Sequence, residues 1–168
     1  LPEPPAEYLV ATFGLSERGV ERPVTLPYFS PQRHAMDDPP RFTGQFNYPD
    51  DAHLLEDGTF LTADIRNCRV VIIDPATQKI VTQWGKTGRT HCYHKPPQYL
   101  GSPNGATPMD NGDILITEIR GAWITRITRA GKVVWDMPAP RIRYPSDAFP
   151  TVDGKQVIVA DFSKPGRV

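Results

Sequence analysis

The stretch that decides the fold is residues 103–118, which read PNGATPMDNGDILITE. An Asn-Gly pair stands just before the apolar run at residues 114–117. Asn-Gly is among the strongest short signals for a β-hairpin, because both residues tolerate a positive φ. Ile and Thr favour the pleated, half-buried surface of a strand. The stretch therefore predicts two antiparallel strands joined by a tight turn.

The same pattern occurs twice more, in residues 49–64 and 145–161. In each copy an Ala follows the first Pro by three residues, and a turn Gly follows it by nine (58−49, 112−103 and 154−145). After the first two copies come a second strand pattern, a turn and a third strand pattern that ends at Trp84 or Trp135. A unit of about forty residues with this content cannot bury both faces alone and must stack on copies of itself.

The repeat predicts an all-β fold, a partial β-propeller of about three four-stranded antiparallel blades with an irregular Pro-rich N-terminal arm. A β-sandwich is the alternative, but three matches at a fixed offset argue against it. We predict the arm, with one or two strands, in residues 1–46 and the blades in residues 47–168. The blades divide as 47–100 with an inserted loop at 85–100, 101–142, and 143–168, which is incomplete.

A closed ring of blades typically needs four to eight of them. Three cannot close, so we expect the chain either to be part of a longer protein or to have another protein chain covering its open edges. The chain begins at Leu1 without a signal-peptide pattern, which we interpret as a mature, processed N-terminus or as a fragment.

The charge balance argues against two classes of partner. Lys plus Arg and Asp plus Glu each number 19, so the formal net charge is zero. A nucleic-acid-binding protein would be expected to carry a basic face, and none is indicated. No apolar run approaches the ~20 residues of a membrane-spanning helix. We therefore expect no nucleic-acid partner and no transmembrane segment.

Cys68 and Cys92 are the two cysteines of the chain. Both lie in polar, turn-rich segments, so neither is an obvious core thiol, and their number is even. We predict a disulfide between them rather than two free thiols. Such a bond would hold the inserted loop, and it implies an oxidising compartment, either the periplasm or the extracellular space.

A metal site is the alternative role for the inserted loop. His91, Cys92 and His94 place three soft or borderline ligands within four residues. Zinc accepts such ligands, although its sites usually draw on two separated ligand pairs. Solvated histidines without a metal are the third interpretation.

Polar residues stand at the start of each predicted inner strand. Inner strands line the central channel of a propeller, so Asp50, Asp51, Asn104 and Asp147 are expected to converge near one mouth. Their oxygens could bind a ligand or Ca²⁺. The alternative is that Asp and Asn cap turns through hydrogen bonds to the backbone.

Asp64, Glu118 and Asp161 end the second stretch of each repeat. Because such a carboxylate recurs once per unit, we expect a structural role for it rather than a catalytic one.

Two families are indicated by short motifs. Residues 49–85 resemble a blade of the NHL-repeat propellers, through Pro49, Asp57-Gly58, Ala63-Asp64 and Arg69-Val70. Across residues 47–168 the chain is still more similar to bacterial propellers grouped with arylsulfotransferases and quinoprotein-like repeats. The motifs that carry this second resemblance are Arg66-Asn67-Cys68-Arg69, Ser102-Pro103-Asn104-Gly105, Tyr144-Pro145-Ser146-Asp147 and Ala160-Asp161-Phe162-Ser163.

The resemblance implies a secreted or periplasmic propeller. An arylsulfotransferase would use a channel histidine to accept the sulfuryl group. His53 lies near the start of a first strand, but Thr107 and Phe149 stand at the equivalent positions of the other units. Propellers host many unrelated functions, so the resemblance indicates architecture more than activity.

Two functions follow as expectations. No Gly-rich phosphate loop, Gly-x-Ser-x-Gly elbow or His-Glu-x-x-His motif occurs in the sequence. We therefore expect a non-catalytic binding or scaffold segment of an extracytoplasmic assembly. The alternative is part of a propeller enzyme, arylsulfotransferase-like or an NHL-type lyase, whose remaining blades carry the other active-site residues.

Overall fold

The computed structural model describes residues 9–11, 24–26 and 46–164. The first two strands, β1 (Leu9–Ala11) and β2 (Val24–Leu26), pair antiparallel in a sheet of their own. Both fall within the predicted N-terminal arm, and the rest of that arm lies outside the described residues.

The first blade is a four-stranded antiparallel sheet in which sequence neighbours pair in turn. Its strands are β3 (Pro49–Leu54), β4 (Phe60–Asp64), β5 (Arg69–Asp74) and β6 (Lys79–Trp84). The predicted hairpin connects β3 to β4, and there the Asp57 carboxylate accepts a hydrogen bond from the backbone N–H of Thr59 at 3.1 Å. A short 3₁₀ turn, Ile65–Asn67, leads from β4 to β5.

The second blade repeats this order. Its strands are β7 (Pro103–Pro108), β8 (Ile114–Glu118), β9 (Trp123–Ile127) and β10 (Val133–Pro138). The loop between the two blades contains a second 3₁₀ turn, Arg89–His91.

The third blade has two strands in the part of the chain that the structure describes. These are β11 (Pro145–Pro150) and β12 (Val157–Asp161), paired antiparallel. The inner strands β3, β7 and β11 are neighbours in space, with β7 in contact with both of the others. The predicted all-β fold, a partial β-propeller, is therefore confirmed.

Apolar residues between the first and second blades form the main core. Trp84 is 4% exposed and lies beside the turn at Gly131 of the second blade, so it packs between the two blades. The members of this core are Leu61, Ala63, Val70, Ile72, Trp84, Leu100, Ala106, Ile114, Ile116 and Ile127, with Leu55 and Val133 packed against them.

A smaller cluster joins the second and third blades. Ile124, Ala139, Ala148 and Val159 are buried there, and Trp135, the counterpart of Trp84, is only partly buried. The second interface therefore lacks part of the packing that closes the first.

The recurring carboxylates have the structural role expected of them. Each accepts a hydrogen bond from the backbone N–H of the residue 17 positions earlier in the chain: Asn47 to Asp64 at 2.7 Å, Tyr144 to Asp161 at 3.1 Å, and Gly101 to Glu118. The carboxylate thus ties the entry of each blade to the end of its second strand.

Candidate functional site at the inner strands

Each inner strand is bulged at the same place. The register shifts between Asp50 and His53 in β3, between Pro103 and Ala106 in β7, and between Pro145 and Asp147 in β11. A bulge bends a strand and re-aims its side chains. The repeat therefore turns the polar residues of all three inner strands in a common direction.

Asn104 of β7 connects the first and third blades. Its Nδ2 donates to Asp50 Oδ2 at 2.6 Å and to the backbone carbonyl of Ser146 at 3.3 Å. The hydroxyl of Tyr144 donates to Asn104 Oδ1 at 3.0 Å. The predicted convergence of these residues is thus visible in the structure, while their role as ligands stays a prediction.

Asp51 and Asp147 form a close carboxyl pair against β7. Asp147 Oδ1 lies so near Gly105 that any Cβ at that position would collide with it. Asp51 Oδ2 and Asp147 Oδ1 are both buried, and neither has a hydrogen-bond partner among the described residues when both groups are ionised. One proton shared between the two carboxyls would satisfy both atoms.

The electrostatics of Asp51 agree with a shared proton. Burial raises the pKa of Asp51 from 3.8 to about 7, with further contributions from the hydrogen bond to Asp147 and the charges of Asp147 and Asp50. A hydrogen bond from the backbone of Ala106 opposes this rise in pKa. Near neutral pH Asp51 is therefore partly protonated.

His53 is the third member of this cluster. Its Nε2 is buried and has no hydrogen-bond partner among the described residues. Burial lowers the pKa of His53, and the negative charge of Asp147 partly opposes that. The arrangement places a neutral imidazole next to an acid pair, which is a set of groups able to accept, hold and return a proton.

Removal of the Asp51 carboxyl is expected to change how stability depends on pH. The unfolded chain releases this proton near pH 3.8, whereas the folded protein keeps it to about pH 7. The folded state therefore binds more protons across that window, and the free energy of unfolding falls as the pH rises from about 4 to about 7. Because Asp51 is only half-buried, solvent screening limits the loss to about 1–2 kcal/mol.

The measurement is urea denaturation at pH 5 and pH 8 of the wild type, Asp51→Asn and the exposed control Asp110→Asn. Asp51→Asn should gain stability relative to the wild type at pH 8, while Asp110→Asn should follow the wild type at both pH values. Identical pH profiles for the wild type and Asp51→Asn would contradict this assignment.

The predicted disulfide is present. Cys68 and Cys92 are bonded, and they are 0% and 6% exposed. The zinc site proposed at His91, Cys92 and His94 is incompatible with this bond, because it needs the Cys92 thiolate. Within residues 46–164 no three His, Cys, Asp or Glu side chains are placed to hold a metal ion. Asp50, expected as a possible calcium ligand, accepts a hydrogen bond from Asn104, and its role as a ligand stays a prediction.

His94 fastens the inserted loop to the second blade. Its Nδ1 lies 3.0 Å from Glu118 Oε1 and its Nε2 lies 2.9 Å from Asp136 Oδ2. The ring also stacks on Trp123, with the planes 4° apart and the centroids 3.8 Å apart. Burial raises the pKa of Glu118, and the hydrogen bond from Gly101 and the charge of His94 oppose the rise.

Replacing His94 by Gln is expected to lower the free energy of unfolding by about 2 kcal/mol, because a hydrogen bond to a charged group and a ring contact are lost together. His91→Gln is the matched control, since His91 is on the same loop and has no carboxylate partner in the described residues; it should stay within about 0.5 kcal/mol of the wild type. Urea denaturation at pH 6 measures both. Equal effects of the two substitutions would contradict the role of His94.

No strand of the described residues pairs with the outer edge of β12, which makes this edge a second candidate surface. Beside it lies a groove of about 760 Å³ between the second and third blades. Ile124, Met137, Ile142 and Val157 are among the apolar residues that line it. Ile158 and Phe149, which pair across β12 and β11, are 48% and 46% exposed.

Among the described residues no helix has the length and apolarity needed to cross a membrane.

No protein-family model and no curated protein matches this chain. Solved structures do match it. The chain is similar to the WD40 β-propeller domain of Doa1, with a TM-score of 0.51 and 13% identity over 65% of this chain and 32% of that one. It is also similar to Kuenenia stuttgartiensis hydrazine synthase (TM-score 0.49, 16% identity, 67% and 28% covered). A third similar structure is virginiamycin B lyase from Staphylococcus aureus, with a TM-score of 0.47 and 22% identity over 69% of this chain and 38% of that one.

These similarities concern the fold. At 13% identity, the match to the Doa1 domain supports the β-propeller architecture and carries no information on activity. The chain spans about a third of the length of the solved structures it matches. The class of protein is therefore a β-propeller, of which this chain contains part.

Proposed function

We propose that this chain is a segment of an extracytoplasmic β-propeller of the NHL-repeat or arylsulfotransferase-like type, acting as a binding or scaffold subunit in a larger assembly. The observation that carries the proposal is the third blade. In the described part of the chain its sheet has two strands, whereas each of the other two blades has four. An open sheet edge next to an apolar groove is completed by further strands, either from the rest of the same protein or from a partner chain.

The disulfide supports the proposed location. Disulfides form and persist in oxidising environments and are rare in the cytosol. The bond between Cys68 and Cys92 is buried and holds the loop that follows the first blade. An extracytoplasmic site would keep this bond intact.

The test is purification of the protein from its native host after separation of the cell compartments. We expect it in the extracytoplasmic fraction, bound in fixed stoichiometry to a second polypeptide. A cytosolic, reduced protein would overturn the location. A soluble monomer without concentration-dependent association in sedimentation velocity would overturn the scaffold role.

One specific observation favours a second function, in which the chain is part of a propeller enzyme. It is the cluster of Asp51, Asp147 and His53, whose buried polar atoms have no hydrogen-bond partner within the part of the chain that the structure describes. A carboxyl that titrates near neutral pH is suited to general acid–base work. In this function the cluster would move a proton to or from a substrate bound in the channel.

The enzymatic function is tested on the complete assembly with 4-nitrophenyl sulfate as donor and phenol as acceptor. We expect release of 4-nitrophenol that falls by at least about 100-fold in Asp147→Asn, the range of a lost acid–base group. Asp110→Asn is the control and should not change the rate. Absence of turnover, or turnover that Asp147→Asn leaves intact, would contradict it.

A further inference from the structure

We propose that Thr62 and Thr117 are positioning residues of the carboxyl pair at the inner strands. Their hydroxyl groups hold the backbone next to Asp51 and Asp147, and so keep the two carboxyls close enough to share one proton. This inference rests on the proposed enzymatic function, because it assigns the residues that set the geometry of that same cluster. The hydroxyls bond to backbone atoms, so both threonines act through the main chain.

Thr62 of β4 stands opposite the bulge of β3. The register of these two strands shifts between Asp50 and His53, so two residues of β3 face Thr62 alone. The Thr62 hydroxyl donates to the carbonyl of Asp51 at 2.7 Å, and the carbonyl of Asp50 lies 3.1 Å from it. Asp51 has a φ of 51°, in the left-handed region. A residue other than glycine stays there only when surrounding contacts hold it, and Thr62 supplies one of them.

Thr117 of β8 joins the bulges of the second and third blades. Its Oγ1 accepts a hydrogen bond from the backbone N–H of Gly105 at 2.9 Å. Its hydroxyl donates to the carbonyl of Ser146, the residue before Asp147, at 2.8 Å. The peptide unit that leads into Asp147 is therefore fixed against the second blade.

Gly105 makes the contact between Thr117 and Ser146 possible. A Cβ at Gly105 would lie 2.8 Å from Ser146 O and 3.0 Å from Thr117 Oγ1, which is closer than such atoms pack. The absence of a side chain at this position lets β11 approach β8 closely enough for the hydroxyl to reach the carbonyl.

Both hydroxyls are shielded from water. Thr62 is 5% exposed and Thr117 is 0% exposed. A buried carbonyl that loses its donor bears the full desolvation cost, which favours movement of the backbone toward another partner. Loss of either hydroxyl is therefore expected to displace the strand that carries one member of the carboxyl pair.

The protonation of Asp51 is a sensitive measure of this geometry. Burial is the main cause that raises its pKa, followed by the hydrogen bond to Asp147 and the charges of Asp147 and Asp50, while the backbone of Ala106 opposes the rise. The charge of Asp147 also acts on His53. When the two carboxyls separate, the contributions of Asp147 fall and that of burial remains.

The test is a carboxyl ¹³C NMR titration of the full chain, with a chelator present and the Asp51 resonance assigned by comparison with Asp51→Asn. The wild type should titrate at about pH 7. Thr62→Val and Thr117→Val remove the hydroxyl and nearly keep the shape of the side chain. Each should lower the Asp51 midpoint by at least about one pH unit, within the range by which a neighbouring carboxyl shifts a pKa.

Two sets of controls separate positioning from a purely structural role. Thr62→Ser and Thr117→Ser keep the hydroxyl and should therefore keep the wild-type midpoint. Thr125→Val removes another hydroxyl of a fully buried threonine, whose partner is Glu118 Oε1 at 3.2 Å. It should lower the free energy of unfolding and leave the Asp51 midpoint unchanged.

An unchanged midpoint in either folded Val variant would overturn the proposal. So would an equal fall in the Ser variants, which would assign the effect to packing of the methyl group, or in Thr125→Val, which would assign it to a general loss of stability. If one Val variant does not fold, the other decides. If neither folds, the hydroxyl protons of Thr62 and Thr117 in the wild type should exchange slowly enough to give NMR signals, and absence of both signals would overturn the proposal.

The outcome is separable from the proposed enzymatic function. If the midpoints fall as expected but the complete assembly releases no 4-nitrophenol from 4-nitrophenyl sulfate, the positioning stands and the enzymatic function fails. If turnover depends on Asp147 while the midpoints do not move, the enzymatic function stands and the assignment of the two threonines is wrong.

Discussion

Asp64→Ala is expected to lower the free energy of unfolding by about 3–5 kcal/mol, the range for breaking a buried ion pair by removal of one partner. Asp64 and Arg69 are both 0% exposed, and Arg69 Nε donates to Asp64 Oδ2 at 2.9 Å. Burial raises the pKa of Asp64, while hydrogen bonds from Asn47 and Asn67 and the charge of Arg69 lower it. Removal of this carboxylate leaves the guanidinium buried without its counter-charge.

Because the cost comes from the charge left buried at Arg69, removing that charge as well should restore part of the free energy of unfolding. Replacing both members of a buried ion pair by apolar residues usually costs less than removing one. Asp64→Ala combined with Arg69→Met should therefore be more stable than Asp64→Ala alone. Urea denaturation at pH 7 measures the set, and a double variant less stable than the single one would contradict the assignment.

An exposed pair provides the control. Asp57 and Arg129 form an ion pair across the two blades, with both side chains 45% exposed. Exposed pairs contribute little because water screens them, so Asp57→Ala should cost much less stability than Asp64→Ala. A similar cost for Asp57→Ala and Asp64→Ala would show that burial does not decide the effect.

Loss of the disulfide is the second large effect. The double variant Cys68→Ser/Cys92→Ser should lower the free energy of unfolding by about 3 kcal/mol, the chain-entropy estimate for a loop of this size. The bonded cysteines are separated by 24 positions in the sequence. The bond confines this segment in the unfolded chain and so raises the free energy of the unfolded state.

Reductant provides the control for this effect. Urea denaturation of the wild type should shift to lower urea when dithiothreitol is added, whereas that of the double variant should not move. A wild-type curve that dithiothreitol leaves unchanged, with both thiols open to alkylation, would show that the bond contributes nothing to stability.

The strands of the blades could be predicted from the sequence because local turn chemistry repeats. The turn glycines Gly58, Gly112 and Gly154 all adopt a positive φ, between 66° and 83°. A glycine with this conformational requirement recurs nine residues after the first proline of each unit. The repeat can therefore be recognised in a single sequence. The carboxylates at Asp64, Glu118 and Asp161 could be recognised as structural for the same reason.

The site at the inner strands could be predicted only in part. The convergence of Asp50 and Asn104 follows from their shared position at the start of an inner strand. The pairing of Asp51 with Asp147, and the approach of His53, depend on bulges in β3 and β11. No residue pattern in the sequence predicts a bulge at these positions. Asp51 also adopts a left-handed backbone conformation (φ 51°), which is more typical of glycine. The shared proton was therefore not predictable.

The role of His94 was also missed. The sequence raised a metal ligand only as an alternative to the disulfide, because His94 stands two residues after Cys92 and three after His91. Its partners Glu118 and Asp136 are 24 and 42 positions away, in different strands. These contacts form only when the blade is assembled. The sequence indicated that His94 lies on an inserted loop, but it did not indicate which residues the loop contacts.

Amide hydrogen exchange of the isolated chain, resolved by residue, tests most directly whether the third blade is open at β12. The structure predicts fast exchange at Val157, Val159 and Asp161 and slow exchange at Ile158 and Ala160, which face β11. It predicts slow exchange at Ile114, Ile116 and Glu118, the same positions within a complete blade. Equal, strong protection of both sets would contradict the open edge of β12.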